Sequence, residues 1–524
     1  MTQEDRLLII GWDGADWDII NHLIEYDCLP HVASLMSKGA TGVLESVVPT
    51  HSWAAWPTFL TGMDPGGHGV FDFVERDPRQ PLMRTPVTSA SIRANTFPEY
   101  LSNAGYEVRL GNVPVFFPPL PVKGRVISGV AVPPKAQFVH PWTWKSELDR
   151  RAPFPVNGLE WADANVDARK LLDEARELLL KRTESFKVML EGDWKVGACI
   201  FVETDRLQHA FGAYLLPKHP DHNRLVDSSI ARDLRELYRL LDEATAQLIQ
   251  AAGPRATILI VSDHGFRPID RLLNLEALLE HLGLAVSGRA AAANKAFRQS
   301  SLASRVKKSR FGHAVRRRVR TLSPVDWSRT VAYKAATGGG VSLNLKGREP
   351  HGIIEPRDYE RVSAEVIEAL LGYEDPESGR RPVANVLRRE QVHSGPYAHL
   401  SPDLFLVSNE GWSVFGSGQK GALTSHTSLP TGQHRRAGIV IGAGENITPG
   451  DLGTRPLRDI APTVLAYAGL RVEGLQGQPI HEIAGQIQPE RTMATKDVQR
   501  ASSGLSAEEE NQVSVHLRDL VYIE

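Results

Sequence analysis

The chain has 524 residues, 42 % of them hydrophobic and 23 % charged, which is enough apolar sequence for a sizeable core and excludes a disordered protein. A formal net charge of −2 at pH 7 argues against a protein whose main role is to coat nucleic acid. With only two cysteines, the chain cannot form a disulfide framework or a cysteine-rich zinc or iron–sulfur site.

The first six residues are polar and lead directly into an apolar run at 7–10, without the pattern of a secretory signal peptide. No apolar run approaches the roughly 20 residues that a membrane-spanning helix needs. We therefore expect a cytoplasmic protein without a membrane span.

Short, continuous apolar runs recur along the chain, at 7–10, 196–202, 257–261, 404–407 and 438–441. Such runs are typical of strands that are buried on both faces of a mostly parallel sheet. Amphipathic stretches at about 167–191 and 230–252 predict helices between them. The expected fold class is α/β, a doubly wound, mostly parallel sheet between layers of helices.

Two stretches interrupt this pattern. Residues 71–160 are rich in proline, aromatic residues and turns, and we expect an inserted surface region beside the site. A second insertion is expected at about 285–330, where the charged residues of 289–320 are all basic. The basic segment is interpreted as a solvated cap helix, a lid that attracts phosphate, or a contact to nucleic acid or anionic lipid. The domain prediction is a catalytic domain over 1–485, followed by a polar tail (486–524) with a short terminal helix.

Aspartate and histidine residues follow several predicted strands, where the functional residues of such sheets lie. They are Asp13, Asp205, His209, Asp263, His264 and His434. Asp205 and His209 share one face if their segment is helical. The adjacent Asp263 and His264 can point toward two different metal ions. Carboxylate and imidazole ligands in this mixture suit Zn2+, Mn2+ or Fe2+ better than Mg2+.

A candidate nucleophile lies in the segment 48–62, where Ser52 begins a predicted helix. Backbone N–H groups and the helix dipole favour a phosphate group at such a position. A serine hydroxyl is not ionised at pH 7, and a bound dication could activate it as metal ions activate water.

These segments, in this order, resemble the alkaline phosphatase superfamily, and in particular its phosphohydrolase/phosphomutase branch related to type I phosphodiesterases/nucleotide pyrophosphatases. The resemblance covers about residues 6–480 and rests on segments 11–14, 52–69, 204–209, 261–266, 432–434 and 459–463. It implies an alkaline phosphatase-like fold and two divalent metal ions, with Zn2+ expected and Mn2+ as the alternative. It also implies a metal-activated Ser or Thr that accepts a phosphoryl group and passes it to water.

Carried over by position, the resemblance makes Ser52 the nucleophile, rather than Thr50 or Thr58. It assigns one metal to Asp13, Ser52, Asp263 and His264, and the other to Asp205, His209 and His434. Nucleotide pyrophosphatases usually have an Asn three residues after the nucleophile; Ala55 stands there, which leaves the preferred substrate open. Residues 28–32 superficially match the sulfatase pattern Cys-x-Pro-x-Arg but lack the Arg, so we reject that alternative.

Four residues beside these positions are candidate substrate contacts: His51, Trp53, Trp56 and Arg206. The tryptophans could stack on an aromatic substrate or pack in the core, and the other two could be structural. His426 is a candidate for the rim of the site, and His68 is interpreted as a turn residue.

The expected function is a hydrolase that cleaves a phosphodiester or nucleotide-type pyrophosphate bond of a small molecule through a phosphoseryl intermediate. A phosphomonoesterase, phosphomutase or phosphotransferase of the same superfamily is the alternative. A non-catalytic, metal-binding scaffold is a third possibility.

Overall fold

The computed structural model describes residues 6–519 except 78–79, 134, 157, 160–166, 289–324, 337–338, 416–421, 428, 486–490, 496–497, 499 and 501–503. The strands are β1 (Leu7–Trp12), β2 (Ala40–Glu45), β3 (Val74–Asp77), β4 (Gln80–Pro86), β5 (Val108–Val113), β6 (Gly124–Ser128), β7 (Val139–His140), β8 (Val196–Phe201), β9 (Thr257–Val261), β10 (Gly265–Asn274), β11 (Ala332–Ala336), β12 (Gly340–Leu343), β13 (Val383–Arg388), β14 (Leu404–Ser408), β15 (Gly411–Phe415), β16 (Thr424–His426), β17 (Gly432–Arg435), β18 (Ala437–Ala443), β19 (Gly450–Pro456), β20 (Leu470–Glu473) and β21 (Arg491–Ala494).

The α-helices of the described residues are α1 (Trp17–Glu25), α2 (Pro30–Lys38), α3 (Ser52–Thr61), α4 (Pro65–His68), α5 (Phe97–Asn103), α6 (Lys145–Arg151), α7 (Ala168–Met189), α8 (Glu203–Leu215), α9 (His222–Leu225), α10 (Ser229–Ala252), α11 (Leu275–His281), α12 (Tyr359–Gly372), α13 (Arg389–Val392), α14 (Ile460–Tyr467), α15 (His481–Ala484) and α16 (Ala507–Asp519). The amphipathic stretches that predicted helices correspond to α7 and α10. No helix among the residues described is both long enough and apolar enough to cross a membrane.

A nine-stranded sheet forms the centre of the fold, in the order β19-β2-β18-β9-β1-β8-β5-β6-β7. Its middle is parallel, because β1 pairs in parallel with both β8 and β9, and β5 continues the parallel pairing on β8. Strand β18 runs antiparallel between β9 and β2. The predicted mostly parallel α/β sheet is confirmed.

Both faces of the central sheet are covered by helices, as the continuous apolar runs predicted. Leu7 and Ile9 of β1 pack in the core cluster that includes α3, α5 and α14. Leu8 and Ile10 point the other way, into the cluster with α1, α7, α8 and α10. This alternation is the two-residue period of a strand, here with apolar partners on each side.

The run at 404–407 was expected in the same sheet, and this expectation is wrong. It forms β14 of a separate four-stranded sheet, β11-β12-β14-β13, which packs with α12 in a third core cluster. A continuous apolar run reports burial on both faces but carries no information about which sheet the strand joins.

The stretch 71–160 contributes more than surface structure, since β5, β6 and β7 extend one side of the central sheet. Strand β5 has the sequence Val-Arg-Leu-Gly-Asn-Val, so it lacks the continuous apolar run that marks the other inner strands. Of the second predicted insertion, 285–330, residues 289–324 lie outside the described residues, as does the whole basic segment. The domain boundaries stay predictions.

The polar tail contains a terminal helix, α16, that packs on the body of the protein. Val513 and Leu517 of α16 are buried in the same core cluster as α3 and α5. Before the helix, Arg500 donates two hydrogen bonds of 2.7 Å to the carboxylate of Glu99. Apolar and charged contacts therefore both attach the tail to the core.

Candidate active site

The candidate ligands meet at the carboxyl edge of three adjacent parallel strands. Asp13 directly follows β1, Asp205 lies in the first turn of α8 after β8, and Asp263 and His264 follow β9. Because β9, β1 and β8 are neighbours in the sheet, their ends bring these side chains together. All four residues are buried.

Ser52 is the first residue of α3 and faces this cluster. Its hydroxyl donates to Oδ1 of Asp13 at 3.1 Å and lies 3.2 Å from Nε2 of His264. The preceding residue, His51, begins the helix by accepting a hydrogen bond from the backbone N–H of Ala54 through Nδ1. The helix start thus presents the Ser52 hydroxyl to the carboxyl edge of the sheet.

Two groups of side chains could each hold a metal ion. In the first, one ligand atom from each of Asp13, Asp205 and His264 lies within 4.8 Å of the others. In the second, Nε2 of His434 is 3.1 Å from Oδ1 of Asp205 and 2.8 Å from Nε2 of His209. Asp205 therefore lies beside both groups, whereas the resemblance assigned it to the second alone.

The three histidines all have Nδ1 next to a backbone carbonyl oxygen, at 3.0 Å for His209, 3.3 Å for His264 and 2.9 Å for His434. A carbonyl oxygen can only accept, so the tautomer with its proton on Nδ1 makes these three hydrogen bonds and directs Nε2, as an acceptor, toward the carboxylates. In this tautomer the Nε2 atoms of His209 and His434 are two acceptors 2.8 Å apart, an arrangement that a cation coordinated by both would stabilise.

The carboxylates of the site also favour bound cations, because their negative charges are buried close together. Burial and the charges of Asp263 and Asp205 raise the pKa of Asp13 well above its usual value. Burial, followed by the charge of Asp205, raises the pKa of Asp263 to about 7. Oδ2 of Asp263 is buried and accepts no hydrogen bond from any residue that the structure describes. Anionic oxygens packed this closely need positive charge beside them, so the donor set fits divalent cations.

Two histidines of the site, His209 and His264, have a lowered pKa and are neutral at pH 7. Burial lowers the pKa of His209 to about 3 and, together with His434, the pKa of His264 well below its usual value. Burial raises the pKa of Asp205, but the adjacent His209 and His434 and the guanidinium charge of Arg206 together outweigh this effect and bring its pKa below the ordinary range. Neutral imidazoles and an ionised carboxylate are the forms that coordinate a metal ion.

The residues expected to contact substrate have contacts within the protein instead. Trp56 is fully buried, and its Nε1–H donates to Oδ2 of Asp13 at 3.0 Å. His51 uses both ring nitrogens, because Nε2 lies 3.2 Å from the carbonyl oxygen of Phe71. Trp53 is buried against the Phe73 ring. Their substrate contacts stay predictions, and Trp56 supports a candidate ligand.

Arg206 is also buried, with Nε 3.9 Å from Oδ2 of Asp205. His426 accepts a hydrogen bond from Arg271 in the sheet of β10, β15 and β16. His68 is the buried last residue of α4, and its Nε2 lies 3.0 Å from the Thr58 hydroxyl.

Sequence reasoning missed Phe266 as a residue of the site. Its fully buried ring has centroid distances of 4.8 Å to His209, 5.2 Å to His434 and 5.8 Å to His264. The position of Phe266, two residues after His264, was the sequence signal that could have identified it. Asp16, three residues after Asp13, was missed as well.

The mostly parallel sheet, with these aspartates and histidines at its carboxyl edge, has an alkaline phosphatase-like α/β fold. A quadruply substituted variant of alkaline phosphatase PafA has a similar fold, with a TM-score of 0.52 and 14 % identity over 92 % of this chain and 99 % of that one. Phosphonoacetate hydrolase from Sinorhizobium meliloti 1021 has a TM-score of 0.49 and 15 % identity over 84 % of this chain and 90 % of that one.

Murine ectonucleotide pyrophosphatase/phosphodiesterase 5 has a TM-score of 0.44 and 14 % identity, over 87 % of this chain and 93 % of its own. No curated protein matches the sequence. The sequence model of the type I phosphodiesterase/nucleotide pyrophosphatase family matches residues 7–435, and the chain belongs to this family. The protein is thus a phosphoric ester hydrolase.

Proposed function

We propose that the protein is a metal-dependent phosphohydrolase that cleaves a phosphodiester or nucleotide-type pyrophosphate bond, with Ser52 as its nucleophile. The observation that carries this proposal is the position of the Ser52 hydroxyl, between Asp13 and His264 at the amino end of α3. A phosphoryl group held there faces the positive end of the helix dipole. A cytoplasmic location stays a prediction from the sequence.

The residues that would hold the metal ions form two sets. Asp13, Asp263, His264 and the Ser52 oxygen would hold one ion, and Asp205, His209 and His434 the other. Zn2+ is our proposed ion and Mn2+ the alternative, because imidazole and carboxylate ligands are combined. Bound divalent cations would supply Lewis acidity toward the serine oxygen and the phosphoryl oxygens.

The chain's own residues then act as follows. Asp13 orients the Ser52 hydroxyl through the hydrogen bond that its Oδ1 accepts. The serine oxygen forms a bond to phosphorus as the bond from phosphorus to the leaving oxygen breaks; the hydroxyl proton passes to solvent water, and the leaving oxygen takes up a proton from solvent. Water next attacks the phosphoserine, which frees the serine oxygen and releases the phosphoryl product.

Hydrolysis of bis-p-nitrophenyl phosphate and p-nitrophenyl phosphate tests this proposal. The protein is stripped with a chelator and reloaded with Zn2+, Mn2+ or Mg2+. We expect faster diester cleavage, complete dependence on the added metal, and a kcat lowered by several orders of magnitude in Ser52→Ala. Thr61→Val is the matched control, since it removes a hydroxyl from the far end of the same helix, where it donates to the Pro57 carbonyl.

Full kcat in Ser52→Ala would rule out the proposed nucleophile. A preference for the monoester would favour a phosphatase or mutase. Tightly bound metal without turnover of either substrate would favour a transferase or a scaffold.

A further inference from the structure

Arg435, the residue after His434, is bound to a buried carboxylate that the catalytic proposal does not use. Its Nε and one terminal nitrogen donate to the two oxygens of Asp16, both at 2.5 Å. Asp16 is fully buried. The two parallel hydrogen bonds fix both the distance and the orientation of the guanidinium group.

Asp16 joins three elements that surround the second group of histidines. Its Oδ1 accepts from the backbone N–H of Asp18 at 2.8 Å, which caps α1. Its Oδ2 accepts from the backbone N–H of Phe266 on β10 at 3.0 Å. Arg435 brings in β17. One carboxylate thus holds the strand that carries His434 and the strand that it pairs with.

His434 depends on this arrangement because β17 is only four residues long and pairs with β10. Phe266 is the direct partner of His434 in that ladder, and its ring packs edge-on against the imidazole at 5.2 Å. Asp16 therefore fixes both Arg435, the residue after His434, and Phe266, the partner of His434 in the β-ladder.

Asp13 and Asp263, the two carboxylates proposed for the other ion, are held by other contacts. Asp13 accepts from the indole of Trp56, and Oδ1 of Asp263 accepts from the backbone N–H of Gly14 at 3.2 Å. Neither contact involves Arg435. Losing the guanidinium should therefore disturb the two groups unequally.

We propose that Asp16 and Arg435 form a positioning pair that sets His434 for one of the two cations, the one shared with Asp205 and His209. This inference rests on the proposed two-cation site. Arg435 acts through His434, and its removal should weaken one ion selectively.

Zinc titration of stripped protein against a competing chromophoric chelator tests the proposal. We expect the wild type to bind two ions. In Arg435→Gln, one ion should bind as in the wild type and the other roughly 10- to 100-fold more weakly, the usual effect of losing an outer-shell partner. Arg435→Lys keeps the charge but not the paired geometry, so its loss should be smaller. Added zinc should restore kcat in both variants.

Arg436→Gln is the matched control, because it removes the same charge from the next residue. The Arg436 side chain is half-exposed and contacts the Ser46 carbonyl and Glu45. It should bind both ions as tightly as the wild type does.

Wild-type affinity for both ions in Arg435→Gln would overturn the positioning role, as would an equal loss at both sites or an equal loss in Arg436→Gln. If Arg435→Gln does not fold, wild-type affinity for both ions in Arg435→Lys would overturn the role in its place. If the wild type binds fewer than two ions, the proposed two-cation site itself is refuted. Failure of that site is thus distinguished from failure of the positioning role, which leaves two ions bound to the wild type.

Discussion

Trp56→Phe removes a single hydrogen bond from the candidate site and leaves every proposed ligand in place. The Trp56 indole donates to Oδ2 of Asp13 at 3.0 Å, while Oδ1 of Asp13 accepts from Ser52. The indole also packs edge-on against Phe59 at 5.1 Å, and a Cβ at Gly11 would lie 2.8 Å from it. Phenylalanine keeps most of this apolar contact but has no donor.

The expected loss follows from the buried, charged acceptor. A hydrogen bond to a charged group contributes about 1.5–3 kcal/mol, and its loss here leaves Oδ2 of Asp13 buried without that donor. At about 1.4 kcal/mol for each factor of ten, kcat/KM should fall roughly 10- to 100-fold. The circular dichroism spectrum should be that of the wild type.

Steady-state hydrolysis of bis-p-nitrophenyl phosphate, with thermal unfolding alongside, measures this effect. Trp194→Phe is the control, since the Trp194 indole is buried too but donates to the Leu190 carbonyl at 2.7 Å, at the opposite end of β8. It should lose stability and keep its activity. A kcat/KM within twofold of the wild type in Trp56→Phe would refute the reasoning, as would an equal loss in the control.

Three further predictions concern stability. Leu517→Ala in the fully buried face of α16 should cost about 2–5 kcal/mol in urea unfolding, far more than Val515→Ala on its exposed face. Glu203→Gln should cost about 3–5 kcal/mol in guanidinium unfolding, because it breaks a fully buried ion pair with Arg182. Burial lowers the pKa of His393 to about 3, so below pH 6.5 the unfolded chain takes up a proton that the folded protein excludes. This linkage removes on the order of 3 kcal/mol of stability by pH 4, and His393→Phe should flatten the decline of unfolding free energy with falling pH.

Each of these has a contradicting outcome. Equal costs for Leu517→Ala and Val515→Ala would mean that α16 does not pack on the core in solution. An unchanged midpoint in Glu203→Gln would mean that the pair with Arg182 is not buried. An acid profile of His393→Phe parallel to that of the wild type would place the acid sensitivity at other groups.

Apolar periodicity predicted the inner strands and the long helices of the fold. Strand β1 could be recognised because every residue of its apolar run is buried, on alternating sides. Strand β5 could not, since its buried Arg109 interrupts the apolar pattern. The guanidinium pairs with Glu107 at 3.1 Å and also donates to the carbonyls of Glu191 and Asp193, which lie far away in the sequence.

For the site, residue type and chain order predicted candidates, and the structure brought them together. It did not follow from the sequence that Asp205 lies beside both histidine groups, or that Trp56 donates to Asp13. The pairing of Asp16 with Arg435 joins residues 419 positions apart. No local pattern encodes a contact of that separation.

By itself the sequence determined the α/β class, the places where strands end in Asp or His, and the resemblance to the alkaline phosphatase superfamily. These are local properties, set by side-chain periodicity and by residue type at a strand end. The tertiary structure alone decided that Asp205 lies beside both groups of candidate ligands, which nitrogen of each histidine faces the carboxylates, and which residues contact the candidate ligands. Those features depend on backbone carbonyls and buried partners that only the packing of distant segments brings within hydrogen-bonding distance.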